Sequence, residues 1–206
     1  MPVTKTTREC YEVREGKPHG EWANITLHCW QRAANVGTKH EGTYYCGEIT
    51  IQSSFGTWGN IWTACANPFK EFLQEVEFDY AFGKFMGARL EEFDGDGSMR
   101  AMRERVIENR RNTWLSKADA RALWDALEDR ESEATCSEND WVRALGDAAE
   151  SLRLDRQPDA AEFLSEPWEY IQTRPKPCAV NFWRTLWPLF IEALKAEAEQ
   201  PALQAA

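Results

Sequence analysis

The sequence predicts an α+β fold: an N-terminal antiparallel meander of three or four strands packed on a long central helix, followed by a helical C-terminal part. Three observations carry this. Apolar and polar residues alternate with period two in several stretches before residue 66. From Asn67 to Phe93, the residues Phe69, Phe72, Leu73, Val76 and Tyr80 recur at three- and four-residue steps, and Phe85, Met86, Leu90 and Phe93 continue that helical spacing. Beyond residue 98 shorter stripes of the same period follow, punctuated by caps and prolines.

Taken in order, Arg8–Val13 reads as a short edge strand, and Gly16, Pro18 and Gly20 mark a loop that holds His19. Trp22–Trp30 alternates cleanly. Ala23, Ile25, Leu27 and Cys29 take one face, and Trp22, Asn24, Thr26, His28 and Trp30 take the other. After a polar connection from Arg32 to Gly42, Tyr44–Ser53 forms a second strand with Tyr45, Gly47, Ile49 and Ile51 on one side. Ser53–Thr57 has the size and glycine of a hairpin turn, and Trp58–Cys65 returns with Trp58, Asn60 and Trp62 on a common face.

Asn67 caps the central helix and Pro68 takes its first position, where a missing N–H is harmless. Gly83 and Gly87 mark a bend or a close approach on that helix, with a break near Gly83 as the alternative. Asp94-Gly95-Asp96-Gly97-Ser98 ends it as a turn, and Ser98 caps the next helix. A calcium loop is the competing reading of this pentapeptide. It fails because Met99 stands where the loop needs glycine and Arg105 where it needs a closing glutamate. Helices follow over Met99–Trp114, from Ser116 to Asp129 and from Ser137 to Leu152, the last two each opening on a serine with an aspartate three residues on. Asp159–Ser165 forms a short helix, and Pro188 splits the last helical region into two segments meeting at Trp187. The organisation expected is residues 1–97 as sheet plus central helix, and residues 98–206 as a helical region sharing the same core.

Ten tryptophans and ten phenylalanines in 206 residues argue for a collapsed chain. There is no apolar run of membrane-spanning length and no apolar leader after Met1, so no membrane partner and a cytoplasmic location are expected. The six cysteines show no short paired spacing and are expected to be reduced. Net charge is -10, unevenly spread: residues 115–170 carry fifteen acidic against six basic side chains, whereas residues 98–114 carry five arginines against two glutamates. Broad nucleic-acid binding needs an extended positive footprint, so direct contact with nucleic acid is confined to residues 100–111. There Arg100, Arg103, Arg110 and Arg111 are the candidates for touching phosphate or an acidic partner.

No nucleophile elbow, phosphate-binding loop or paired-histidine zinc motif occurs. Cys29, His28, His40, Cys46 and Cys65 fall on or between neighbouring strands, but their spacing is unlike a zinc knuckle and His28 and Cys29 face opposite ways, so no metal and no cofactor are expected. His28 and Glu48 are the one histidine–carboxylate pair that adjacent strands bring together. They define the catalytic alternative, with Tyr44 nearby.

Gly47-Glu48-Ile49-Thr50-Ile51-Gln52-Ser53-Ser54-Phe55-Gly56, with Trp58, Trp62, Phe69, Phe72-Leu73 and Asp79-Tyr80, resembles small accessory proteins of bacteriophages and prophages over residues 44–86. The resemblance implies a non-enzymatic protein that binds a host protein in the bacterial cytoplasm, including the inhibition of a defence system. It carries no catalytic residues. Trp22, Trp30, Trp58 and Trp62 are the expected aromatic contacts. Asp125, Glu128, Asp129, Glu131 and Glu133 form the expected acidic steering surface. The alternatives are a small enzyme or nuclease-associated factor using His28 and Glu48, and a protein whose partner is a second copy of itself.

Overall fold

The computed structural model describes residues 5–34 and 42–199. Its strands are β1 (Glu9–Arg14), β2 (Trp22–Ala34), β3 (Gly42–Ser53), β4 (Gly56–Cys65), β5 (Glu91–Phe93) and β6 (Thr173–Pro175). Its α-helices are α1 (Phe69–Glu75), α2 (Phe78–Met86), α3 (Gly95–Arg111), α4 (Lys117–Ala134), α5 (Glu138–Leu154), α6 (Pro158–Phe163), α7 (Pro177–Thr185) and α8 (Trp187–Glu199). The chain divides into two compact units, Met1–Leu90 with Pro175–Ala206, and Glu91–Arg174. A linear cut at residue 97 separates α7 and α8 from the sheet whose core they complete.

In the first unit β1 to β4 lie in chain order, every neighbouring pair antiparallel, as the expected meander. Register follows the alternation: Ile25 faces Tyr11 and Ile51 across its two neighbours, and Leu27 faces Ile49. A slip of one residue would turn all of these to the other side. In the β3–β4 turn, the Ser53 hydroxyl accepts from the Gly56 amide at 3.2 Å and donates to the Gly56 carbonyl at 2.9 Å. The core joins Ala23, Ile25, Leu27, Ile49 and Ile51 to Trp58, Trp62 and side chains from α1, α2, α7 and α8. Gly47 is needed where it stands, because a Cβ there would lie 2.0 Å from the Phe69 ring. The chain breaks at Trp187 as expected, and Trp183 and Trp187 stack at 4.8 Å across the junction.

The single long helix expected over 67–93 is two helices. Val76 (ψ 137°) and Glu77 (ψ 159°) are extended and separate α1 from α2, and Gly87 (φ 56°) then ends α2. Geometry gives the reason. At about 100° per residue, a straight helix would place Phe82 about 220° around the axis from Phe69. Yet Phe69, Leu73, Phe82 and Phe85 are all buried in the same core. Two extended residues re-aim the chain so that both halves face the sheet.

The second unit packs α3 to α6 around Met99, Met102, Leu123, Leu127, Trp141 and Leu145. Ser116 and Ser137 cap α4 and α5 as expected, each hydroxyl accepting from the amide three residues on. Asp94–Ser98 differs from expectation: it is the first turn of α3, capped by Asp94, whose carboxylate accepts from the Gly97 amide at 3.1 Å. A Cβ on Gly95 would lie 2.3 Å from the Thr135 carbonyl, so this glycine serves close helix packing. Ser98 is fully buried. Its hydroxyl donates to the Asp94 carbonyl and accepts from the Gln172 amide, both at 2.8 Å, tying α3 to the strand returning as β6.

Candidate functional site

The helices of the first unit take one face of the sheet, and the opposite face presents the polar members of each alternation. In register across it run His28, Glu48 and Ile61, one residue from each of β2, β3 and β4. Arg8, just before β1, reaches over to Glu48 and binds it through both guanidinium nitrogens at 3.0 and 2.9 Å. Two residues along β2, the Trp30 ring sits 5.1 Å from the His28 ring. Farther along, the Arg32 guanidinium lies 5.0 Å over the Tyr44 ring and donates from Nε to the Thr63 carbonyl at 2.9 Å. Trp22 and Trp30 are half-buried and Ile61 is 56% exposed. The face therefore offers aromatic and aliphatic surface held by cross-strand contacts, with arginine at its margin.

The four tryptophans separate. Trp22 and Trp30 lie on the outward face, but Trp58 and Trp62 are core residues, 8% and 7% exposed. Trp58 meets Phe82 and Phe182 edge-on, and Trp62 lies among Phe69, Phe72 and Phe85 with its Nε1 donating to the Tyr80 hydroxyl at 3.2 Å. Alternation fixed which side chains share a face with Asn60; it does not say which face the helices cover. Trp58 and Trp62, expected as contacts, are instead part of the core and present no surface to a partner.

The acidic set is largely spent inside the second unit. Asp125 pairs with Arg121 at 3.0 Å, Glu133 with Arg130 and Arg143 at 3.5 and 3.1 Å, and Glu131 bidentately with Arg103 at 2.9 Å. Glu128 and Asp129 are exposed, with no ion pair among the described residues. Arg103 also lies 5.4 Å over the Trp124 ring, so it is held by α4, whereas Arg100, Arg110 and Arg111 are exposed.

For the catalytic alternative, His28 and Glu48 are direct cross-strand partners, but the carboxylate is engaged by Arg8 and the pair sits on a sheet face. No cavity among those described is lined by either residue. His40 lies outside the described residues. Cys46 donates to the Thr63 carbonyl at 3.1 Å, Cys65 is in the core, and Cys29 opens on a cavity beside α1. Among the described residues, no three His, Cys, Asp or Glu side chains are placed to hold a metal ion.

A family model described as a phage family, Phage_phiTE_072, matches residues 1–196. The chain belongs to this family. Membership in Phage_phiTE_072 extends the likeness seen over residues 44–86 to nearly the whole chain. No curated protein and no solved structure matches the chain. Among the described residues of this Phage_phiTE_072 chain, no helix is long and apolar enough to cross a membrane.

One cluster escaped sequence reasoning. Lys70 of α1 donates to Glu9 of β1 and, at 2.7 Å, to Glu197 of α8, and the Tyr11 hydroxyl lies 2.9 and 2.8 Å from the same two carboxylates. Burial pushes the Tyr11 phenol above its usual range. Burial also works against the Lys70 ammonium, but hydrogen bonds to Glu197, Glu9 and Tyr11 outweigh it and hold that pKa above ordinary. The Lys70 and Tyr11 hydrogen bonds hold the Glu197 carboxyl below its ordinary value. Its members are separated by up to 188 residues, and no local pattern joins them.

Proposed function

We propose that this phage-family protein works by binding a host protein through the outward face of its sheet, and that it catalyses no reaction itself. The specific form proposed is inhibition of a bacterial defence system in the host cytoplasm. The observation that carries the reading is the outward row of His28, Glu48 and Ile61 with Trp30 beside it. The Ile61 side chain and the His28 and Trp30 rings flank the Arg8-bound Glu48 carboxylate in a fixed register outside the protein's core. Interface energy concentrates in such groups, with tryptophan and arginine prominent among them. Ile61 ends this row on the edge strand β4, where its side chain is exposed beside the polar members of the face.

The test is affinity capture from host lysate with the wild-type chain and with a Trp30→Ala/Ile61→Asp variant. Both side chains lie outside the core, so the variant keeps the wild-type circular dichroism spectrum. Recovery of the partner is expected to fall at least about tenfold, since loss of one aromatic anchor costs about 2 kcal/mol or more. Equal recovery by the two proteins would remove the outward face from the reading. The enzymatic alternative requires Glu48 to be released from Arg8, and an activity found in the lysate assay that disappears in Glu48→Gln would restore it.

A further inference from the structure

A second surface belongs to the 91–174 unit. Where α3 gives way to α4, the backbone makes a closed turn: the Trp114 and Leu115 amides both donate to the Asn109 carbonyl, at 3.0 and 3.3 Å. Thr113 takes φ 60° to do so, a conformation unfavourable for a β-branched residue. Leu115 goes into the core at 4% exposure, whereas Trp114 stands outward at 80%. A strained turn that buries one side chain and projects its neighbour leaves the larger aromatic in water, a costly placement in a protein that buries so many others.

Beside this turn α3 and α4 form an open, mainly apolar groove of about 320 Å³ that includes Ile107 and Trp124. Its rim carries Arg110, Lys117 and Arg121. Arg121 is shared with Asp125 of its own helix, whereas Arg110, Lys117 and the neighbouring Arg111 are exposed and make no ion pair among the described residues. On α3, at about 100° per residue, Ile107 falls inside the arc that spans Arg100, Arg110 and Arg111. It is 40% exposed. The surface is thus an apolar centre with an exposed tryptophan, bordered by cations, on a chain whose net charge is -10.

We propose that this corner is a docking site for an acidic, amphipathic segment of a partner protein: apolar side chains enter the groove against Ile107, Trp124 and Trp114, and flanking carboxylates meet Arg110, Arg111 and Lys117. Charge complementarity selects the acidic partner. The placing of the cations selects protein over nucleic acid: a single strand binds along a continuous positive track, whereas Arg110, Arg111 and Lys117 border one short groove. The acidity of the remainder of the chain opposes a polyanion the length of a nucleic acid.

The test is selection of a random 16-residue displayed peptide library on the full-length chain, with counter-selection on Arg110→Glu/Lys117→Glu. Both substitutions are at exposed positions, and the melting curve verifies the fold. Enriched peptides are expected to combine two or more Asp or Glu with Leu, Ile, Phe or Trp. They should bind at least tenfold more weakly to the charge-reversed variant and to Trp114→Ser, and with unchanged affinity to Arg153→Glu/Arg184→Glu, which alters charge elsewhere. The proposal is overturned if no peptide is enriched, if enriched peptides are basic or bind all variants alike, or if a dT20 oligonucleotide binds more tightly than they do and loses that binding in Arg110→Glu/Lys117→Glu.

Discussion

Lys70 joins three elements with one ammonium group, contacting Glu9 on β1 and Glu197 on α8 from its own place on α1. The Glu197 carboxyl is held below its ordinary pKa by Lys70 and Tyr11, so its ionised form is favoured by folding. A depressed carboxylate adds stability that is present above its unfolded pKa and lost as pH falls through its folded value. The wild-type chain is therefore expected to lose stability on acidification below the ordinary carboxylate range, and Lys70→Met to lose less over the same interval. Because the Glu9 and Glu197 carboxylates are about half exposed, the difference between the two acid limbs is expected to be under about 1 kcal/mol. Urea melts at neutral pH and near pH 3 measure it, and parallel acid limbs would show that the ion pairs contribute nothing. Residues 9, 11, 70 and 197 carry no mutual signal in the sequence, because an ion pair across elements depends on which surfaces meet. Ser116 and Ser137 were legible for the opposite reason: a cap acts within three residues, where chain distance and spatial distance coincide.

At the scale of elements, period two made the strands readable and left their sidedness open. Ile25, Ile49 and Ile51 announced an apolar face, but in β4 the same alternation offered Trp58 and Trp62 to either side, and only their packing with α1, α2 and α7 shows that they are core. Helical period was readable too, whereas the break at Val76–Glu77 was not, because neither residue is a glycine or proline. Gly83, which looked like the weak point, lies inside α2. What forces the break is the need to aim Phe69 and Phe82 at one core. Replacing Val76-Glu77 by Ala-Ala raises helix propensity at both positions and favours a continuous helix, which would turn Phe82 and Phe85 away from the core. The expected result is a net loss of about 2–4 kcal/mol in urea unfolding, the range for removing large apolar groups from a core. A more stable protein would show that propensity, rather than core placement, sets this junction.

For the molecule as a whole, the chain leaves its first unit at Leu90 and returns at Pro175, and the two passages pair as β5 and β6. The Lys176 amide donates to the Leu90 carbonyl at 2.9 Å, so the ends of the inserted stretch lie within one hydrogen bond of each other. Paired strands run about 5 Å apart, a gap that a short glycine-containing turn spans. Each unit also has its own apolar cluster, one built on the sheet with α1, α2, α7 and α8, the other on α3 to α6. Deleting residues 91–174 and joining Leu90 to Pro175 through Asn-Gly is expected to leave a chain that melts cooperatively and keeps its strand signal in circular dichroism. The deleted stretch, expressed alone, is expected to be helical by circular dichroism and to melt cooperatively around its own apolar cluster. Bringing the chain ends together costs little once a two-residue turn replaces an 84-residue excursion, because closure entropy grows only with the logarithm of loop length. If the shortened chain collapses without a cooperative transition, the sheet and its four helices draw essential stability from the inserted stretch, and the unit boundary is not a folding boundary.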